Sequence, residues 1–379
     1  MRILFLTEAP SLVGSSRVLA YQYRPYLEDL GLEVEIVPPV SNQVYGLLNL
    51  SALDDRFHSR ARRRLLRLAY RYAVVPLARG TQFYQAQRYD VVVVQRSVWY
   101  TGSPACFERL VRHHSRRLVY SYDDALYVHW PTTTQHRIEL ADAVLTGNEK
   151  LAEYARRFNS SVHVIESGVD TDGYYPEKPS YRLRNPPIIG WVGNPSNLRH
   201  LRLLEIPLKR LSLEADFRLR VVSSRPYEPA VSGLPIEFVP WALEREIENL
   251  MEFDIGVMPL HDSEYARGKE GYKLKQYMAC GLPAVASPVG YNRKIVTDGQ
   301  TGYLAATAEE WVLKLGRLLA DTNERERLGR NGRDFVVEHY STRQKAKELE
   351  LFFRGLSAGS PFSTLGDSRE GSRARDKRS

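Results

Sequence analysis

The segment best suited to binding chemistry is a glycine-rich loop that runs into a predicted helix. It covers residues 268–281 with the sequence GKEGYKLKQYMACG, and LPAVASPVG follows it. A helix that begins near Tyr272, directly after Gly271, leaves free backbone N–H groups and its positive dipole end at the loop. Lys269 and Lys273 add point charges that suit a diphosphate. The pattern therefore predicts an anion site, and the alternative is an ordinary loop, helix and strand that only pack.

Two adjacent carboxylates are a second candidate for chemistry. Asp123 and Asp124 come directly after an apolar run over residues 118–122. Carboxylates that leave a buried strand towards a cleft can bind substrate hydroxyls or act as a base. His129 lies a few residues later and could serve in the same way. The alternative is a pair of turn carboxylates satisfied by their own surroundings, and the sequence singles out no catalytic base.

A third candidate is the loop after the first predicted strand, where Gly14, Ser15, Ser16 and Arg17 open a helix. A glycine at such a junction lets the backbone approach a ligand closely. The loop lacks the G-x-G-x-x-G pattern, so it carries no dinucleotide-binding fingerprint. In the alternative interpretation, Ser16 is only the N-cap of the helix.

Short apolar runs alternate with helix-length segments, and these elements must position the candidate residues. The predicted strands cover residues 2–6, 33–37, 91–95, 118–122, 144–146 and 162–165, and then 188–192, 218–222, 236–239, 255–258 and 284–286. Helical patterns are predicted over 18–30, 309–319, 323–339 and 342–356. Uninterrupted Val, Ile and Leu runs separated by helices are typical of parallel sheets covered on both faces. The sequence therefore predicts an α/β fold.

A break with four prolines between residues 170 and 187 divides the chain into two such units. We predict a Rossmann-like domain over 1–170, a linker over 171–187, a second Rossmann-like domain over 188–340, a closing helix over 341–357 and a disordered tail over 358–379. Two doubly wound units predict a cleft that holds ligands at the C-terminal ends of the strands.

Bulk composition restricts the class of protein. The chain has 379 residues, 43% of them apolar, which suits two globular domains. Its two cysteines, Cys106 and Cys280, have no metal-ligand spacing and suit a reducing compartment. No stretch reaches the ~18 apolar residues that a membrane span needs. The N-terminus MRILFLTEAP does not have the pattern of a signal peptide. A cytoplasmic location is therefore expected.

The net charge of +8 is matched by one segment, because residues 56–80 contain eight arginines and no acidic residue. No stacked-aromatic or zinc signature supports nucleic-acid binding. On a helix, Arg62, Arg63, Arg64 and Arg67 would form a basic face beside an apolar one, which suits an anionic membrane surface. The alternative is a solvated basic helix packed on its own domain.

The segment KLKQYMACGLPAVASPVG over residues 273–290 resembles the nucleotide-binding signature of glycosyltransferase family 4 and its close relatives. The resemblance implies the GT-B fold, in which two Rossmann-like domains face a cleft, and transfer of a sugar from a nucleotide diphosphate sugar. In that family two glutamates hold donor-sugar and ribose hydroxyls, and their positions here are Gly268 and Gln276. Gln276 can still hydrogen-bond a ribose, whereas the sugar contact must come from backbone N–H groups, Glu270 or Glu264.

A second match, IIGWVGNPSNLRHL over residues 188–201, resembles the strand, loop and helix that open the C-terminal domain of these enzymes. In the family, an arginine just after the glycine and a lysine five residues on clamp the diphosphate. After Gly193, the corresponding residues are Asn194, which has no charge, and Arg199, which keeps the positive charge of the lysine. In the alternative interpretation, Arg199 is only a solvated helix residue. Trp241 lies where the family places its base-binding loop, and a buried packing tryptophan is the alternative.

The resemblance extends to residues 14–17, which relatives use near the donor phosphates and the acceptor, and to residues 123–125, 141–148 and 168–170. It implies that the first domain binds a glycan or lipid-linked acceptor and that the donor phosphate assists a retaining reaction. The sequence has no D-x-D metal site in a clear context, so we expect no metal and no cofactor beyond the nucleotide sugar. Relatives with lipid-linked acceptors often dock through the N-terminal domain, which favours a peripheral position on the inner face of the plasma membrane.

Two other functions are compatible with the same sequence. A nucleotide-sugar epimerase shares the fold, but it needs carboxylates around the donor sugar and Gly268 supplies none. The chain could also be a catalytically weak nucleotide-sugar-binding or scaffold subunit, recruited to membranes by residues 56–79. The absence of the family's first glutamate at Gly268 is compatible with this function. Detectable transfer or hydrolysis by the purified chain counts against the scaffold.

Overall fold

The computed structural model describes residues 1–48, 65–66, 68–80, 82–173 and 180–358. Within these ranges the chain forms two α/β units, each built on a six-stranded sheet. No helix of the described chain combines the length and the apolar character that a membrane crossing requires. The predicted disordered tail lies outside these ranges except for its first residue.

The N-terminal sheet consists of β1 (Arg2–Thr7), β2 (Glu33–Val37), β3 (Val91–Gln95), β4 (Leu118–Tyr122), β5 (Ala143–Thr146) and β6 (Val162–Val164), in the order β2-β1-β3-β4-β5-β6. Every pairing is parallel. Side chains alternate between two buried faces, with Leu4 and Leu6 in one apolar cluster and Ile3 and Phe5 in another. Burial on both faces explains why these strands are almost continuously apolar.

The C-terminal sheet consists of β7 (Ile188–Val192), β8 (Arg218–Ser223), β9 (Ile236–Pro240), β10 (Ile255–Met258), β11 (Ala284–Ala286) and β12 (Tyr303–Leu304), in the order β12-β11-β10-β7-β8-β9. Its pairings are also parallel. Strands β7, β10 and β11 are buried at every position. The eleven predicted strands are confirmed, whereas β12 was not predicted because two residues show no periodicity.

The helices of the N-terminal unit are α1 (Gly14–Leu19), α2 (Arg24–Asp29), α3 (Asn42–Leu48), α4 (Val75–Gly80), α5 (Cys106–His114), α6 (Pro131–Leu140) and α7 (Glu149–Ala155), with 3₁₀ turns at Tyr21–Tyr23, Phe83–Arg88 and Leu126–Val128 and a π turn at Tyr70–Val74. The single helix predicted over 18–30 is wrong, because this segment is divided between α1, the first 3₁₀ turn and α2. Pro25 stands in the first turn of α2, where its ring and its missing N–H prevent one helix from running through.

The helices of the second half are α8 (Arg202–Leu211), α9 (Glu246–Met251), α10 (Glu264–Arg267), α11 (Tyr272–Ala279), α12 (Asn292–Ile295), α13 (Ala308–Ala320), α14 (Thr322–Tyr340) and α15 (Thr342–Ala358), with 3₁₀ turns at Pro195–Leu201 and Leu243–Arg245. The helices predicted over 309–319, 323–339 and 342–356 are confirmed as α13, α14 and α15. Helix α13 begins with a capping box formed by Thr307 and Glu310, which satisfies its first N–H groups.

Helix α15 returns to the N-terminal unit. Phe352 and Phe353 lie in the same apolar cluster as Phe5, and the rings of Phe5 and Phe353 meet edge to face with centroids 6.1 Å apart. At the crossing between the units, Val169 and Ser341 form a parallel bridge. The chain therefore passes between the two units twice, at adjacent points.

Gly190→Ala tests the close packing at the centre of the C-terminal sheet. A methyl group at Gly190 would lie 2.0 Å from Cγ of Phe253, so we expect the free energy of unfolding to fall by roughly 1–3 kcal/mol. Urea denaturation followed by circular dichroism measures this change.

The matched control is Gly316→Ala in α13, where the added methyl would lie 3.6 Å from Cδ1 of Leu211. Because that contact is ordinary and alanine favours a helix, stability should rise by about 0.5–1 kcal/mol. Unchanged stability of Gly190→Ala would contradict the packing of Phe253 against β7.

Candidate active site

The C-terminal ends of the two sheets meet along one interdomain cleft. Asp124, which follows β4, has a carboxylate oxygen 3.7 Å from Nζ of Lys269 in the other unit. The side-chain amide of Asn148, which follows β5, donates to the carbonyl of Gly268 at 2.9 Å. Residues predicted on separate loops therefore share a single site, as expected of doubly wound sheets that face each other.

The glycine-rich loop has the backbone that a tight entry into α11 requires. Gly271 is the N-cap residue, and its φ of 66° lies in the left-handed region that favours glycine. An added Cβ would also lie 2.4 Å from Cδ1 of Ile295. The predicted helix start at Tyr272 is confirmed. The first N–H groups of α11 and its positive dipole end therefore lie beside Lys269 and Lys273.

Lys273 is a cation in poorly solvated surroundings. Its ammonium group lies 5.5 Å from the centre of the Trp191 ring, and its Cε would be 2.7 Å from a Cβ added to Gly193. Burial, reinforced by the positive charge of Lys269, lowers the pKa of Lys273 to about 7. A bound anion would oppose both effects, so this position favours anion binding.

His200, which the sequence did not predict as a site residue, lies among the predicted cations. It belongs to the 3₁₀ turn after β7 and is 2% exposed. Burial, followed by the effects of Arg199, His261, Lys269 and Lys273, lowers the pKa of His200 to about 4. The positive charges of the three predicted diphosphate cations therefore act on one buried neutral imidazole.

The neutral ring of His200 can act as a hydrogen-bond donor. Its Nδ1 accepts the backbone N–H of His261 at 3.1 Å, which assigns the ring hydrogen to Nε2. Nε2 is buried and has no hydrogen-bond partner among the described residues. A buried N–H donor among cations suits phosphate oxygens. The only sequence signal for this role was its position next to Arg199 after a predicted strand.

The other predicted residues of this turn lie at its surface. Asn194 is exposed and is the N-cap residue of the turn, and Arg199 is exposed one residue before His200. Gly193 directly follows β7 and donates its N–H to the carbonyl of Val222 at 3.0 Å. Of the two family clamp positions, the structure therefore places a charge near the site only at Arg199.

A buried carboxylate connects the predicted base-binding and ribose-binding residues. Glu246, the first residue of α9, is 4% exposed and was not predicted. Its Oε2 accepts hydrogen bonds from Nε1 of Trp241 at 3.3 Å and from Arg17 at 3.0 Å. Its Oε1 accepts a hydrogen bond from the amide of Gln276 at 3.2 Å. Because Arg17 belongs to the N-terminal unit, this cluster spans the cleft.

Helix α1, which begins at Gly14, places Arg17 at the cleft. Gly14 is exposed, with no atom within 4 Å of a Cβ added there, and Ser15 is half-buried. The interpretation of Ser16 as the N-cap is wrong, because α1 begins two residues earlier and Val13 is the N-cap residue. Ser16 is buried instead, and its hydroxyl donates to Oε1 of Gln95 at 3.2 Å.

Arg96 organises the carboxylates of the N-terminal unit. Its Nη1 lies 3.1 Å from Asp123 and 3.2 Å from Asp124, and its Nε lies 3.3 Å from Glu8. Arg96 has a φ of 61°, a left-handed conformation that is uncommon outside glycine and costs free energy. The sequence did not predict this strained conformation. It indicates that the surrounding residues hold Arg96 in place.

The two aspartates differ in protonation. Burial raises the pKa of Asp123 to about 6, against the attraction of Arg96. For Asp124, burial acts in the same direction but Lys269 and Arg96 outweigh it and lower the pKa. Asp123 can therefore exchange a proton near neutral pH, whereas Asp124 stays charged.

His129 is exposed at the rim of the cleft. Its ring centroid lies 5.1 Å from that of Tyr265 in α10 and 5.7 Å from that of Trp130. Tyr265 in turn interacts with the carboxylate of Asp124. The structure therefore brings the histidine and this carboxylate to the same side of the cleft, with one tyrosine ring as a shared neighbour.

The position of the family's first glutamate is closed by the N-terminal unit. A Cβ on Gly268 would lie 2.8 Å from Cβ of Ala125 and 3.2 Å from Leu151, so no side chain fits there. Glu264 is exposed and lies 3.8 Å from Lys150. Its carboxylate therefore faces the outer part of the cleft.

Glu270 is buried against the segment that leads out of the N-terminal unit. Its Oε2 accepts the backbone N–H of Ser167 at 3.2 Å, and a Cβ added to Gly147 would overlap its Oε1. Burial raises the pKa of Glu270 to about 7, although Lys275 is nearby. The contact of this residue with a donor sugar stays a prediction.

Gly268→Glu, which restores the family's carboxylate, should impair this protein. The added side chain meets Ala125 when the cleft is closed, so we expect a loss of roughly 1–3 kcal/mol in the free energy of unfolding and no gain in transfer activity. Urea denaturation and an activity assay measure the two effects.

The double variant Gly268→Glu with Ala125→Gly provides the control. Because it removes the contacting methyl group, it should recover part of the lost stability. If Gly268→Glu were as stable as the parent, or if Ala125→Gly gave no recovery, the closure at this position would be wrong.

The fold is shared with solved glycosyltransferase structures. Sucrose-phosphate synthase from Thermosynechococcus elongatus aligns with a TM-score of 0.69 at 17% identity, over 95% of this chain and 100% of that one. HepE from Anabaena, solved in complex with UDP and glucose, gives a TM-score of 0.66 at 16% identity, over 94% and 100% of the two chains. The fold is therefore GT-B, as the sequence resemblance implied.

Sequence comparisons relate part of the chain to a known family. Residues 186–321 match the model of the family described as glycosyl transferases group 1. Alpha-maltose-1-phosphate synthase of Mycolicibacterium smegmatis is 23% identical over 327 residues, 70% of this chain and 79% of that protein. MMP alpha-(1->4)-mannosyltransferase of Mycolicibacterium hassiacum is 30% identical over 201 residues, 49% of this chain and 46% of that protein. Residues 186–321 are therefore similar to group 1 glycosyltransferases, and the relatives that match the chain are sugar synthases and transferases.

Proposed function

We propose that this enzyme transfers a sugar from a nucleotide diphosphate sugar to a glycan or lipid-linked acceptor, with retention of the anomeric configuration and without a metal or further cofactor. The observation that carries the donor assignment is the placement of Lys269 and Lys273 at the entry into α11, where Lys273 lies beside Trp191. The positive charges of these lysines and of Arg199 also act on the buried, neutral His200. At the N-terminus of α11 the backbone N–H groups add to the positive potential of the two lysines. They suit the diphosphate of the donor.

The charges across the cleft suit the acceptor. Asp123 and Asp124 lie on the N-terminal unit, and Asp124 faces Lys269 of the donor side. Carboxylates in this position can accept hydrogen bonds from acceptor hydroxyls and orient one of them towards the donor sugar. We therefore assign the N-terminal unit to the acceptor, with these two residues and His129 at its edge as the residues to vary first.

The proposed reaction relies on stabilising the leaving diphosphate. The acceptor oxygen forms a bond to the anomeric carbon, the bond from that carbon to the diphosphate oxygen breaks, and the acceptor proton passes to the departing diphosphate. Lys273, His200 and the N–H groups of α11 are placed to hold the negative charge that develops there. Because these groups are already oriented, little reorganisation accompanies the step.

The two other functions have less support. The relatives named above are synthases and transferases, which favours transfer over epimerisation or a scaffold role. Gly268 leaves no side-chain carboxylate at the sugar position that an epimerase would need. HepE was solved with UDP, which makes UDP the first nucleotide to test here.

Lys273→Met tests the diphosphate site. Since the pKa of Lys273 is lowered to about 7 in the free site, a diphosphate should raise that pKa, and binding at pH 8 should take up a proton. Affinity should therefore fall as the pH rises through 7. Calorimetry with UDP, GDP, ADP and dTDP, in buffers of different ionisation enthalpy, measures the affinity and the proton uptake. The variant should bind about tenfold more weakly and lose the uptake.

Lys209→Met is the matched control. Lys209 lies in α8 and contacts the carbonyl of Gly233 at 3.4 Å. Its replacement should therefore change neither the affinity for the diphosphate nor the proton uptake. Lys269→Ala and Arg199→Ala should weaken binding as Lys273→Met does. If the parent binds none of the four diphosphates, the proposed function is wrong. If Lys273→Met binds like the parent, the diphosphate lies elsewhere.

We also propose that the N-terminal unit docks on an anionic membrane surface at the inner face of the plasma membrane. Several apolar or aromatic side chains along residues 65–77 are exposed, namely Leu65, Leu68, Tyr72 and Leu77. The predicted basic residues Arg62, Arg63, Arg64 and Arg67 lie outside the described residues. Exposed apolar groups next to arginines suit the headgroup region of a bilayer.

Replacement of Arg62, Arg63 and Arg64 by Glu should reduce binding to anionic vesicles by about 100-fold or more, because each basic residue near such a surface contributes about 1 kcal/mol. Sedimentation with phosphatidylserine vesicles measures the binding. The control reverses three exposed arginines of the C-terminal unit, Arg210, Arg245 and Arg330, and should bind like the parent. Unchanged binding of the first variant would refute the membrane proposal.

A further inference from the structure

Gln276 lies on the same face of α11 as the anion site. Residues 273 and 276 are three positions apart in the helix and are therefore neighbours on its surface. Three residues advance the helix by about 4.5 Å. If Lys273 holds the diphosphate, Gln276 stands where the next part of the same nucleotide would lie.

The carboxylate of Glu246 lies beside Gln276. Oε1 lies 3.2 Å from Nε2 of Gln276, and Oε2 lies 3.3 Å from Nε1 of Trp241. Both donors belong to the same unit as Glu246, so they orient its carboxylate without help from the opposite side of the cleft. The chain thus presents a negatively charged acceptor of hydrogen bonds beside an uncharged amide and an indole ring.

The chemistry of this group restricts its partner. A carboxylate accepts hydrogen bonds and repels phosphate, so the group that faces it must donate. Between the diphosphate and the base of a nucleotide, the donors are the two adjacent hydroxyls of the ribose. Their spacing matches the two oxygens of one carboxylate, and hydrogen bonds to an ionised acceptor are strong.

Arg17 reaches the same carboxylate from the N-terminal unit. Its Nη2 lies 3.0 Å from Oε2 of Glu246, and its side chain is 19% exposed whereas that of Glu246 is 4% exposed. Arg17 is therefore the partner that a ligand entering the cleft would displace, because it is the more exposed of the two residues and comes from the opposite unit.

We propose that Glu246 binds the ribose 2′- and 3′-hydroxyls of the donor nucleotide, and that the ribose displaces Arg17 from this carboxylate. Glu246 thereby supplies, from α9, the carboxylate that Gln276 lacks. It is a specificity-determining residue that distinguishes ribonucleotides from 2′-deoxyribonucleotides. The inference rests on the proposed function, because it takes the diphosphate site at Lys273 as given.

The test compares ribonucleotides with their 2′-deoxy counterparts on the full chain. Calorimetry gives dissociation constants for UDP, GDP and ADP and for the three 2′-deoxynucleotides. For a nucleotide that binds, the parent should prefer the ribose form by about tenfold or more. In Glu246→Gln the preference should fall to about twofold or less, because a neutral amide forms a weaker hydrogen bond with a hydroxyl. Each ratio comes from one preparation, so the folded fraction cancels.

Glu248→Gln is the matched control on the same helix. Glu248 pairs with Arg245 at 3.0 Å on the surface, and its variant should keep the parent's preference. Glu246→Asp retains the charge on a shorter side chain and should give an intermediate preference, which also provides the measurement if Glu246→Gln does not fold.

The outcomes separate the inference from the function on which it rests. If Glu246→Gln, or Glu246→Asp in its place, keeps the full preference for ribose, Glu246 only supports the fold and the inference is overturned while the proposed function stands. If the parent binds none of the ribonucleotides, the proposed function fails and the inference fails with it.

Discussion

The contact around Ser167 is the constraint on which the rest of the site depends. Its N–H donates to the carboxylate of Glu270 at 3.2 Å, and its carbonyl accepts a hydrogen bond from the ammonium of Lys275 at 2.9 Å. Both charged side chains are buried and belong to the C-terminal unit. Buried charges are tolerated only when they are paired and hydrogen-bonded. The arrangement therefore holds the loop before α11, and with it the anion site, in one position against the N-terminal unit.

The candidate diphosphate cations and the candidate acceptor carboxylates lie on opposite sides of the cleft. The C-terminal unit contributes Arg199, Lys269 and Lys273, and the N-terminal unit contributes Asp123 and Asp124. In the part of the chain that the structure describes, an ion pair between Lys269 and Asp124 at 3.7 Å joins the two sets. The C-terminal side therefore keeps an excess of positive charge, as the proposed diphosphate site requires, while the other side keeps the carboxylates that we propose for acceptor hydroxyls. Charges oriented in advance are the main source of transition-state stabilisation in reactions of this kind.

Most of the fold could be predicted because its signals are local. Strand β3, with the sequence VVVVQ, is apolar enough to identify from neighbouring residues alone. The prediction of one helix over residues 18–30 failed because the helix-like periodicity continues across Pro25, although a new helix, α2, begins there. The return of α15 to the N-terminal sheet was not predicted, because Phe352 and Phe353 indicate burial without indicating which surface buries them.

The sequence by itself determined the two α/β units, the glycine-rich entry into α11 and the cations beside it, since these follow from residues close together in the chain. Only the tertiary structure decided that His200 stands among those cations, that Gly268 is closed by Ala125 and that Glu246 joins Trp241, Gln276 and Arg17. Arg17 and Glu246 are 229 residues apart. A contact across that distance depends on how two domains pack, and packing between distant segments leaves no periodicity in a single sequence.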